Sequence, residues 1–174
     1  MPQATKRNFL IFWLSGWALF FLIGFVQPSE LAGTSVIDME QHRRAGTAMA
    51  VNSIHDQWRA EGVYSSAMLS LVIDLLFITA IAIGGILGGR LLQQHGAAAV
   101  RAIGLLAVIA HIVFALVDYT ETLSQLVQMV QGQGSDMLAG IAAFARPIKM
   151  QVFLIGFAAL ILGHSASRIL SRRG

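Results

Sequence analysis

The chain has 174 residues, 56% of them hydrophobic and only 12% charged, with a net charge of +3 and no cysteine. Soluble domains carry about 25% charged residues, and one this apolar could not cover its own surface, so a membrane protein is expected. The missing cysteine excludes disulfides, thiolate metal sites and cysteine nucleophiles, and the 12 basic residues are not clustered into a nucleic-acid patch.

The first apolar stretch, Phe9 to Val26, contains no charge. A hydrocarbon core about 30 Å thick needs about 20 helical residues, and about 17 suffice. Lys6 and Arg7 precede it as they would in a signal peptide. However, the run exceeds the usual h-region of about 7–15 residues and lacks a clear A-x-A site, so an uncleaved helix is expected. In the following loop Thr47, Val51, Ile54 and Trp58 recur at helical spacing. That pattern predicts a helix near Ala45 to Ala60, lying on the outer membrane face or capping the bundle.

The second span, Ala67 to Gly88, is interrupted by Asp74 and ends in Gly84-Gly85-Ile-Leu-Gly88-Gly89. These are two overlapping G-x-x-x-G spacings, which let helix backbones approach closely in lipid. Ala159, Gly163 and Ser167 form a weaker ridge later in the chain. Contact within one four-helix bundle is the simpler expectation for these ridges; homodimerisation or docking on another membrane protein is the alternative. The third span covers Ala102 to Val117 and its helix continues through Tyr119 to Val130. Gln131-Gly-Gln-Gly-Ser135 then reads as a turn. Span four runs from Ile148 to Gly163, with Pro147 expected in its first turn, where a missing N–H costs little. The whole chain is expected to form one all-α integral membrane domain, with its residues used up by the four spans.

Lys6, Arg7, Arg90, Arg101, Arg168, Arg172 and Arg173 fall on one side of this arrangement, and the 9 acidic residues fall on the other side or in span two. The positive-inside rule therefore predicts cytoplasmic termini in a bacterial inner membrane, with loops 27–66 and 118–147 facing outward.

A lone charge at the centre of a membrane helix costs roughly 2.5–3.5 kcal/mol, so such residues normally have partners or a task. Asp74 lies on the order of 10 Å below the outer interface at 1.5 Å per residue, and His111 is expected at a comparable depth. His111, Phe114, Asp118, Glu121 and Gln125 follow steps of three and four along one helical stripe. Lys149 opens span four at the same level, Arg146 lies just above it, and Glu30 could join from the end of span one. Two readings of this constellation stay open: a buried network that fixes helix register, or an outer-half pocket for a solute, lipid headgroup or proton.

Other chemistries fit poorly. No H-x-x-x-H or E-x-x-H spacing supports a metal, and His111 and His164 are expected at different depths, against bis-histidine haem ligation. There is no G-x-S-x-G, Walker loop or dinucleotide fingerprint. No metal or cofactor is expected.

Glu30-Leu-Ala after span one, Trp58 in the outer helix, Asp74-Leu-Leu-Phe-Ile, Asp118-x-x-Glu121 and Lys149 together resemble a group of small bacterial four-helix integral membrane proteins with no established function. The resemblance covers about residues 20–165. It implies that Glu30, Asp74, Asp118, Glu121 and Lys149 are the positions that matter. The chain departs from the group at Thr122, where members often have Asn, and in mid-span two, where an aromatic is common. The leading expectation is a non-enzymatic accessory or scaffold component of a larger membrane complex. Binding or transport through the outer pocket is the alternative. A membrane enzyme using Asp74 or Glu121 as general base with His111 assisting comes third.

Overall fold

The computed structural model describes residues 3–30 and 32–171. It is all-α, with no strand among the described residues. In chain order the helices are α1 (Gln3–Val26), α2 (Met39–Arg43), α3 (Ala48–Ala60), α4 (Tyr64–Gln93), α5 (Ala98–Gln131) and α6 (Asp136–Ser171). Four of them, α1, α4, α5 and α6, are long and apolar enough to cross a membrane. The chain is a multi-pass membrane protein built of helices.

The short elements start and stop at identifiable signals. Asp38 caps α2 by accepting from Gln41 N at 2.9 Å, and Thr47 caps α3 by accepting from Ala50 N. Each cap satisfies one of the backbone donors that a helix start leaves orphaned. At the far end of α3, Gly62 adopts φ +71° while its N–H bonds Arg59 O and that of Val63 bonds Trp58 O. This is a Schellman ending, and glycine takes the left-handed position without a Cβ penalty. The helix expected near Ala45 to Ala60 is therefore present, starting at Ala48 and burying Val51, Ile54, His55 and Trp58.

Span four differs from expectation. The α6 helix begins at Asp136, with Ser135 accepting from Leu138 N through its hydroxyl and from Ala139 N through its carbonyl. Pro147 consequently lies inside the helix rather than in its first turn. The reason is that Ser135 and Asp136 supply a complete helix start well before the continuous apolar run begins. Pro147 lacks an N–H, so it leaves one carbonyl in the preceding turn without its usual helical donor.

The chain divides into two compact units. Unit 1 comprises residues 1–17, 78–116 and 149–174, and unit 2 comprises 18–77 and 117–148. In unit 1, Leu92, Val100, Ala107, Ala159 and Leu160 form the buried apolar cluster, with Trp13 packed against it. The glycines of α4 lie where helices meet. A Cβ on Gly84 would stand 3.0 Å from the backbone N of Trp13 in α1, and one on Gly88 would meet Phe9 at 2.8 Å. Gly85 and Gly89 face α5 instead, at His111 and at Gly104 with Val108. In lipid such close packing replaces the hydrophobic drive that water would supply. In unit 2, Met39, Ile54, Trp58, Ala67, Leu71 and Met129 form the core, tying α2 and α3 to the α4 and α5 segments.

Candidate functional site

The polar site of unit 2 is assembled from α2, α4, α5 and α6. On α5 the spacing of three and four residues places Asp118, Glu121, Thr122 and Gln125 on a buried face, with Glu121 0% and Asp118 1% exposed. Asp74 of α4 is 4% exposed and accepts a hydrogen bond from Thr122 Oγ1 at 2.9 Å.

Arg43, from the last turn of α2, reaches both acids. Its Nη2 lies 4.0 Å from Asp74 Oδ2 and its Nε 3.8 Å from Glu121 Oε1. These separations are ion pairs rather than direct hydrogen bonds. They hold one guanidinium between two carboxylates and offset part of the cost of burying their charge. Arg146 of α6 adds a second cation 3.8 Å from Glu121 Oε1, and Gln125 Nε2 donates to the same oxygen at 3.4 Å. Arg146 also grips Glu40 of α2 through two nitrogens, and Arg44 Nε donates to Glu40 Oε1 at 2.7 Å. Burial works to raise the Glu40 carboxyl, but its hydrogen bonds to Arg146 and Arg44, with the charges of Arg146 and Arg43, hold it below the usual carboxylate range.

Of the residues singled out in the sequence, Asp74 and Glu121 are thus brought together about Arg43, and Asp118 is buried on the same face of α5 as Glu121. Glu30 is exposed on the turn after α1 and makes no ion pair among the described residues. Lys149 is buried and falls in unit 1, as does His111. The His111 imidazole lies between two helix glycines: a Cβ on Gly85 would overlap its ring, and one on Gly156 would come within 2.8 Å of Cε1. Its Nδ1 donates to Ala107 O at 2.7 Å, and Trp13 meets the ring edge-on at 6.0 Å.

Sequence reasoning missed Arg43, Glu40 and a histidine pair. His42 and His55 are both buried, and their Nε2 atoms are 3.0 Å apart with the rings stacked. In such a contact one ring donates and the other accepts, so at least the accepting ring is neutral. Burial, with the nearby charges of His55 and Arg43, pushes His42 down to about 3; burial and Arg59 push His55 down to about 4, opposed by Asp56. One signal was available: His55 shares the helical stripe of Val51, Ile54 and Trp58 and so faces the core. A second was Asp38-x-x-Gln41, the spacing of a capping box, which marks the short helix carrying Glu40 and Arg43.

A second feature of unit 2 is an open groove of about 890 Å³ along α3, lined by Met49, Asn52, Ser53, Asp56, Gln57 and Asp136 among others. Its walls are tied together: Ala48 N donates to Asp136 Oδ1 at 2.7 Å and Gly134 N donates to Asn52 Oδ1 at 2.6 Å. No group of three or more His, Asp or Glu suited to a metal ion occurs among the described residues.

Comparison with family models, with curated proteins and with solved structures gave no match.

Proposed function

We propose that this chain is a non-catalytic membrane component that presents a rigid extramembrane cap, formed by α2 and α3, to a larger membrane complex. The observation that carries this reading is Arg43 set between Asp74 and Glu121. The buried acids are committed to arginines from α2 and α6, which fasten the cap to the membrane helices. A general base must come within hydrogen-bond reach of a substrate proton, and carboxylates 0–4% exposed and already ion-paired are poorly placed for that. The groove above α3 supports the same reading, because it combines the 81%-exposed Met49 with the carboxylates of Asp56 and Asp136. Such a surface suits a partner offering an apolar anchor beside basic side chains.

In this reading the membrane is a bacterial inner membrane, the termini are cytoplasmic and the cap faces outward. The imbalance of basic and acidic residues along the chain supports that orientation. The test is photocrosslinking in the native host from position 53, in the groove. A single heteromeric adduct with another membrane protein, abolished by Asp56→Arg, is the expected outcome. Adducts with lipid or with a second copy alone would overturn the reading.

A further inference from the structure

We propose that unit 1 carries a binding site for the phosphate headgroup of an anionic phospholipid, in the cleft between the start of α1 and the ends of α4 and α6. The cleft has a volume of about 510 Å³, within the range of about 300–1,000 Å³ usual for ligand sites. Its floor is apolar, formed by Phe9, Leu91 and Leu92, while Lys6, His95 and Arg168 stand around its rim. These residues lie near the ends of membrane-spanning helices, the level at which headgroups meet water.

Basic residues at this level are expected for topology alone, and those at helix C-termini also complement the helix dipole. Three observations ask for more. First, unit 1 contains no acidic residue in its sequence, although Lys6, Arg7, Arg90, Arg101, Lys149 and Arg168 all fall within it. Lys6 and Arg168 make no ion pair among the described residues. Second, His164 lines the cleft, its ring stacked on Phe9 at 5.6 Å, and its Nε2 is buried with no hydrogen-bond partner among the described residues. A phosphate oxygen would supply one, since an orphaned buried polar atom is costly. Third, the apolar floor has no use for a free inorganic anion but suits the glycerol and first methylenes of a lipid. Basic pockets between membrane helices hold acidic headgroups by this combination of charge and apolar contact.

The test is native mass spectrometry of the purified full chain in detergent, titrated with phosphatidylglycerol, with phosphatidylcholine of the same chains, and with inorganic phosphate. Phosphatidylglycerol is expected to bind in preference to phosphatidylcholine. Lys6→Gln with Arg168→Gln should weaken it about tenfold or more, at about a tenfold loss for each 1.4 kcal/mol of lost attraction. Both side chains are exposed, so the double variant should melt as the parent does. Lys6→Arg with Arg168→Lys should retain binding. Equal binding of the two lipids, or undiminished binding by the Gln variant, would overturn the site. Displacement of the lipid by millimolar inorganic phosphate would overturn the lipid assignment and leave a free-anion site.

Discussion

Thr122 donates its hydroxyl hydrogen to Asp74 Oδ2 across 2.9 Å, with both residues buried. A hydrogen bond to an ionised group is worth about 1.5–3 kcal/mol, and removing the donor leaves the carboxylate to bear its burial with one partner fewer. Thr122→Val keeps the shape of the side chain and deletes the hydroxyl. It should lower stability in micelles by about 1–3 kcal/mol, while Thr122→Ser should recover most of the loss. Denaturant unfolding followed by tryptophan fluorescence would read both.

Arg43 is the stronger test of the network. Removing one partner of a buried ion pair costs about 3–5 kcal/mol. The separations of 3.8 and 4.0 Å and the 13% exposure of the Arg43 side chain place Arg43→Gln near the lower end of that range. Hydrogen exchange should localise the damage to residues 39–60, which Arg43 helps to fasten. Wild-type protection of that segment in the variant would show that the ion pairs do not hold it.

The histidine pair makes the same segment sensitive to acid. The folded-state values of His42 and His55, about 3 and about 4, lie below the ordinary 6.5, so the unfolded chain binds protons that the folded chain refuses. Their contribution is therefore complete above pH 6.5 and declines as pH falls toward 4 and then 3. Glu40 and Glu61 are also lowered, from 4.5, so the stability they contribute is lost only below about that value. Exchange protection of residues 39–60 should accordingly fall between pH 6.5 and 4.5. A His42→Phe, His55→Phe variant should show a flatter profile over that interval if its cap still forms; a decline as steep as the parent's would assign the effect elsewhere.

Much of this fold is legible because the forces behind it are periodic. Long, nearly charge-free apolar runs fix the membrane helices, steps of three and four put Asp118, Glu121 and Gln125 on one face of α5, and Val51, Ile54 and Trp58 announce the buried side of α3. The start of α6 is less legible: Pro147 beside the apolar run looks like a helix start, whereas the capping chemistry of Ser135 decides it. Arg43 is harder still. Its partners lie on α4 and α5, and no local pattern links a residue in a five-residue helix to acids far along the chain.

Within unit 1, Gly85 and Gly156 leave the space that the His111 ring fills. Overpacking a tight site costs about 1–3 kcal/mol, and Gly85→Ala should incur that cost because its methyl would collide with the ring. His111→Ala should partly suppress the defect, giving a coupling of about 0.5–3 kcal/mol in a double-mutant cycle. Additive losses would place the two residues out of contact.

The central claim is that the charged network fastens a cap which a larger complex uses. Native mass spectrometry of the protein, gently extracted from its own host's membranes, tests it most directly. The account predicts an assembly containing a second kind of polypeptide, well above the 18.7 kDa of the chain. A chain found only at its own mass or multiples of it, carrying a small bound molecule, would contradict that account and point to binding or transport at the polar site instead.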